Sequence, residues 1–136
     1  MPAFNKFYSF VEARNEGAHN LGSDTIKIAL TNSAPVATNT ILANITDIAS
    51  GGGYTAGGVA VTRVSSSQTL GVYRLVLQDL TLNGPFGPFR YAVLFNDTAA
   101  GKPLIGYYDY GAALTITSGN NFTMDFDGTN GVLSDT

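Results

Sequence analysis

The sequence predicts a mainly β protein: an antiparallel β-sandwich of jelly-roll or Greek-key type with one or two short helices. Three observations carry this prediction. Apolar and polar residues alternate in Ile26–Leu30, Tyr73–Leu77, Phe89–Phe95 and Phe122–Phe126, the period of strands with one buried face. About seven such runs recur at short intervals between clusters of Gly, Pro, Asn, Asp and Ser. The connections are too short for the crossover helices that parallel neighbours need, so the sheet must be largely antiparallel. With 136 residues, the chain has room for one domain, 1–136, with 1–22 as an N-terminal arm or helix. Area scaling gives about 6,800 Å² of folded surface against about 20,600 Å² unfolded, so one ordinary core suffices.

Taken in order, Phe4, Phe7, Tyr8 and Val11 fall at i, i+3, i+4 and i+7, the spacing of one helical face, with Pro2 ahead and Gly17 behind. Phe4, Lys6, Tyr8 and Phe10 can also be read at period two. From Ser23 the register is that of a strand, closed by the turn Asn32-Ser33-Ala34-Pro35. Ile41, Leu42, Ile45 and Ile48 then recur at helical spacing behind Thr38-Asn39-Thr40 and predict a capped helix of about two turns. Five glycines in Gly51–Gly58 mark a flexible loop. The remainder reads as strands over 59–64, 71–82, 89–96, 104–110, 113–117 and 122–126. Ser65-Ser66-Ser67, Asn83–Pro88, Asp97–Gly101, Gly111 and Ser118–Asn121 separate them. The run 91–95, apolar on both faces, suits a central strand or one whose outer face is covered.

Charge is scarce. Lys and Arg number 7 and Asp and Glu 10, or 12% of the chain, where an average domain carries about 25%. A partner footprint of about 800 Å² would then hold only about two charges. Such a surface suits a protein that works packed against others. A net charge of −3 and a pI near 4.7, with Lys6, Arg14, Lys27, Arg63, Arg74, Arg90 and Lys102 scattered, argue against a nucleic-acid partner. Cys is absent, which excludes disulfides, thiolate zinc sites and thiol nucleophiles. No basic segment leads into an apolar one at the start, and no stretch approaches 18 apolar residues, so no membrane association and synthesis in a cytoplasm are expected.

No catalytic motif and no cofactor site is visible. His19, the sole histidine, has no nucleophile-elbow spacing near it and reads best as a turn-bonding side chain. Asp109 within Tyr107-Tyr108-Asp109-Tyr110 could face a sugar, with Asp97 or Asp125 as the second carboxylate of a hydrolase; packed strand tyrosines explain the same residues more simply. Asp125–Gly131 fails the calcium-loop spacing, with Asn130 where Gly is needed, and reads as a tight turn. The glycine loop at 51–58 lacks the Lys of a phosphate loop. What stands out is a set of aromatics in loops or near chain ends, Phe4, Phe7, Tyr54, Phe86, Tyr107, Tyr108 and Tyr110, which are candidate interface anchors because aromatics bury much area at low rotamer cost.

Four phrases, Asn20–Asn32, Gly53–Gly58, Phe89–Thr98 and Lys102–Gly111, together make the chain resemble a family of small virion structural proteins of tailed bacteriophages, over roughly residues 4–133. The resemblance implies a particle component, foremost a capsid decoration or cement protein on the outer shell. Its partner would be the major capsid protein, and it would itself form a dimer or trimer. A tail or baseplate component is the alternative within that class, and a carbohydrate-binding module built on Tyr107, Tyr108, Tyr110 and Asp109 the alternative outside it. On the cement reading, the glycine loop and the N-terminal segment are the parts expected to order on docking.

Overall fold

The apolar runs at 26–31 and 86–96 pair with each other at the centre of the largest sheet, as their double-sided hydrophobicity demands. The computed structural model describes residues 3–135. In chain order its elements are β1 (Phe4–Lys6), α1 (Tyr8–Asn15), β2 (Ile26–Thr31), a 3₁₀ turn at Leu42–Asn44, β3 (Val59–Ala60) and β4 (Arg63–Thr69). There follow β5 (Val72–Leu77), β6 (Leu80–Asn83), β7 (Phe86–Asn96), β8 (Leu104–Ile116), β9 (Asn121–Met124) and β10 (Leu133–Asp135). Every strand pair is antiparallel. The strands form a five-stranded sheet of order β1-β8-β7-β2-β3, a three-stranded sheet β10-β5-β4 and a two-stranded sheet β6-β9. The fold is thus mainly β and sandwich-like.

Two apolar clusters lie on opposite faces of β7. The larger gathers Ile26, Ile28 and Leu30 of β2, Phe89, Ala92 and Leu94 of β7, Leu75 and Leu77 of β5, Leu82 of β6 and Met124 of β9. The smaller holds Phe7, Ala29, Val93, Phe95 and Leu104, with Leu42 and Ile45 of the 32–50 connection packed on it. A central strand covered on both faces is therefore what the run at 91–95 becomes. The alternation over Phe89–Phe95 does not persist as one face, however. Phe89 lies opposite Leu114 and Tyr91 opposite Asp109, so residues 110–113 of β8 are an insertion that breaks the register. Phe89 joins the large cluster while Val93 and Phe95 join the small one.

Several expectations are corrected. The N-terminal helix packs through Phe10 and through Phe7 at its start, both 0% exposed, while Tyr8 (70%) and Val11 (42%) face outward. Phe4 belongs to β1, which closes on β8 where Gly106 admits it: a Cβ there would lie 2.3 Å from the Phe4 ring. The two-turn helix at 41–48 is one 3₁₀ turn. Its Asn44 side chain accepts the Thr40 and Ile41 N–H groups, which favours a tight local turn over continued helix. Ser65–Ser67 are not a turn but the middle of β4, paired with Val76, Leu75 and Arg74; cross-strand pairing outweighs the turn preference of serine. The strand expected at 71–82 is two, β5 and β6, and the two expected at 104–117 are one, β8.

The glycine stretch is packed rather than loose. Gly51 and Tyr54 bridge each other, the Gly53 N–H donates to the Asn83 carbonyl, and Gly52 holds φ +52° so close to the β6–β7 connection that a Cβ would lie 2.3 Å from the Asn83 oxygen. Small size, not mobility, is what those glycines supply.

Candidate functional site

The structure separates the seven aromatic candidates into two groups. Phe7, Tyr54, Phe86 and Tyr108 are buried, at 0%, 1%, 6% and 3% exposure, so they are core residues and not displayed anchors. Tyr54 shows why: its hydroxyl accepts from the Leu30 N–H and donates to the Asp47 carboxylate, whose other oxygen holds the Gly57 N–H. That knot pins the glycine stretch to β2, and burial raises the phenol's pKa well above its usual value. Tyr108 packs between Phe4 and Phe126. Phe4, Tyr107 and Tyr110 are half-buried.

Tyr107, Tyr108 and Tyr110 do not make a common sugar platform. As residues 107 and 108 alternate along β8, Tyr107 packs with Phe7 and Tyr91 on one face while Tyr108 joins the large cluster on the other. Tyr110 lies edge-on to Phe89 and Phe122, and burial pushes its hydroxyl up to about 12. Asp109 is gripped by the Arg90 guanidinium through two bonds of 2.8 and 3.2 Å and accepts the Gly111 N–H. Those bonds hold its carboxyl below the usual carboxylate range, opposite to the raised pKa a general acid needs.

The other candidate carboxylates lie apart from Asp109. Asp97 is held by Lys27 and Lys102, each at 3.1 Å. It follows the end of β7, whereas Asp109 faces Tyr91, about 20 Å back along the strand, beyond the roughly 5–9.5 Å of a hydrolytic pair. Asp125 follows β9, in a different sheet. Asp127 accepts the Thr129 and Asn130 N–H groups in a turn. Among the described residues no group of three or more His, Asp or Glu is placed to hold a metal ion, and no helix is long and apolar enough to cross a membrane.

His19 tethers a turn to the sheet. Its Nδ1 meets Asn96 Nδ2 at 3.1 Å, and the same amide donates to Asp24 at 2.7 Å while Asn96 Oδ1 accepts the Thr98 and Ala99 N–H groups. Burial lowers the His19 pKa, against the pull of Asp24. The Asn96 amide in turn lowers that of Asp24.

What the exterior offers is apolar and local. Tyr8, Val11 and Ala37, with Phe4 and Tyr107, line a groove of about 490 Å³ beside α1. Val36, 56% exposed, neighbours Ala37. Val64 (62%) and Leu70 (98%) stand at the two ends of β4. Of these exposed residues, sequence reasoning assigned Tyr8 and Val11 to a buried helical face and gave Val36, Val64 and Leu70 no role. Comparison with protein-family models, with curated proteins and with solved structures finds no match for the chain.

Proposed function

We propose that this protein is a virion structural component of a tailed bacteriophage, foremost a capsid decoration or cement protein that bridges major capsid subunits. The observation that supports this most is the exterior. The folded surface of 6676 Å² carries 17 charged residues, and much of that charge is spent internally. Asp24, Asp47, Asp79, Asp97, Asp109 and Asp127 all accept hydrogen bonds from this chain's own groups. A surface so poor in free charge is cheap to desolvate against a partner. Two footprints of about 800 Å² would occupy roughly a quarter of it.

One copy touching two shell subunits resists their separation, because parting them also strips the bridge, and repetition over the shell multiplies the effect. The groove beside α1, with its exposed Tyr8 and Val11, is the natural anchor for one footprint, since aromatics in apolar settings dominate interface energies. The test compares particles with and without the protein. Those lacking it should release their genome at lower temperature, and add-back should restore the wild-type value. Equal heat and chelator resistance would refute the cement role and leave the tail or baseplate reading, which localisation of the chain in an image of the intact particle decides.

A further inference from the structure

β4 is an edge left open. It bonds to β5 on one side, and among the described residues no backbone group from Arg63 to Thr69 bonds to any other segment's backbone. Soluble proteins usually guard such an edge with Lys, Pro, acidic residues or brevity. β4 is seven residues long and reads Arg-Val-Ser-Ser-Ser-Gln-Thr, without Pro, Lys or acid. Its one charge is turned inward, since the Arg63 guanidinium donates to the carbonyls of Leu21 and Asp24. A register irregularity near Val64 disturbs the start of the edge, where the 21–24 turn also lies against Arg63 and near the Ser66 hydroxyl.

The β4–β5 hairpin closes through a two-residue turn in which Leu70 (φ 51°) and Gly71 (φ 82°) are both left-handed. Asn-Gly or Asp-Gly is the favoured pair there, and leucine is strained in that conformation. The turn is held by the Gly71 N–H donating to the Gln68 side chain, but the Leu70 side chain is 98% exposed and packs on nothing that offsets its own strain. An apolar residue held in an unfavourable backbone conformation and pointed at solvent is a local inconsistency of the kind that marks a contact surface.

We propose that β4 is a self-association edge, on which two copies of this chain pair β4 with β4, antiparallel, about a two-fold axis at Ser67. The axis follows from the sequence of the strand. Counting outward from Ser67 in both directions places Ser66 opposite Gln68 and Ser65 opposite Thr69, and it brings the two exposed apolar residues, Val64 at the register shift and Leu70 in the turn, to the same end of the paired strands. Arg63, the one charge of the strand, lies beyond the register shift with its guanidinium held by the Leu21 and Asp24 carbonyls, so no like charges meet across the axis. Hydroxyl pairs directly across an antiparallel ladder are stabilising, the apolar residues at its ends add buried area, and a patch that complements itself is what a two-fold interface requires. The union forms one six-stranded sheet, β10-β5-β4-β4-β5-β10, and pairs the β4 edges of both copies. A second copy is the occupant because the complementarity lies within a single segment of this chain.

The inference does not rest on the shell reading, and the purified chain tests it without particles. A monomer that still binds shells sinks this inference alone; a dimer without effect on shells sinks the other. Sedimentation velocity over a concentration series should show wild type moving from 14.2 kDa to twice that mass. Ser67→Lys sets two ammonium groups face to face on the axis and should hold the chain monomeric. Leu70→Asn suits the turn, so it keeps the fold while weakening association by about tenfold or more. As the chain has no Cys, Ser67→Cys supplies a lone thiol whose counterpart lies within about 5.5 Å Cα to Cα, inside disulfide range. It should cross-link on mild oxidation far faster than a control Ser118→Cys at an exposed turn. A chain monomeric at every concentration overturns the proposal. So does an oligomer indifferent to Ser67→Lys and Leu70→Asn, or equal cross-linking of the two cysteine variants.

Discussion

The centre of the main sheet and the β4–β5 hairpin are built on opposite rules. In β2 and β7 every level agrees: β-branched and aromatic residues, burial on both faces, and hydrogen bonds on both edges, with Ile28, Leu30, Val93, Leu94 and Phe95 all at 0% exposure. At its end the His19–Asn96–Asp24 set ties the following turn down. In the hairpin the levels disagree: a strand of serines read locally as a turn, a leucine in left-handed backbone, and one edge with no partner. The first region is a core in which every local choice supports the fold, and the second is where local choices and fold conflict.

That contrast is sharpest in truncation. Leu94→Ala should cost about 3 kcal/mol by opening a cavity in the larger cluster, whereas Val64→Ala should change monomer stability by under about 0.5 kcal/mol. Denaturant midpoints of the two variants, taken at low concentration, decide it; comparable losses would mean that the hairpin is as integral as the sheet. Acid should distinguish the regions next. The folded His19 holds its proton less tightly than its usual 6.5, so below that pH the unfolded chain binds more protons and stability falls as pH falls, levelling below the folded pKa. Asp24 and Asp97, lowered from 3.8 by the Asn96 amide and by Lys102 and Lys27 respectively, contribute stability above 3.8 that is lost as pH drops through their folded values. His19→Gln should flatten the upper part of a stability-versus-pH curve, while Ser66→Ala in the hairpin should leave its shape unchanged. The smallest effect has the opposite sign. Leu70→Asn should stabilise the monomer by up to about 1 kcal/mol by relieving left-handed strain, and a lowered melting temperature for dilute protein would contradict the reading of that turn.

Much of the β framework was legible because period-two alternation reports burial directly, as at Ile26–Leu30 and Tyr73–Leu77. What escaped was set by contacts distant in sequence. Nothing local in Tyr8 or Val11 says that α1 turns Phe10 inward instead. The insertion at 110–113 of β8 splits the face of β7, and only the Gly111 signal hinted at a break there. The hairpin turn is hidden because Leu70 stands where Asn would announce it, and the serine cluster at 65–67 reads as a turn although it pairs in mid-strand. Among the seven aromatic candidates, placement in a loop does not mean exposure: Tyr54 and Phe86 lie on connections and strand starts that fold back over the core. The exposed apolar residues Tyr8 and Leu70 are therefore the ones that local pattern assigns to the interior or passes over.

The comparison between the two regions meets its most direct test in amide hydrogen exchange followed along β4 at low and high protein concentration. The amides of β2 and β7 should be protected to the limit of global unfolding at both concentrations. The β4 amides that do not bond to β5 should exchange freely when dilute and become protected as concentration rises. Protection of those amides at every dilution, or their continued exchange in concentrated solution, would contradict an edge that is completed by a second copy.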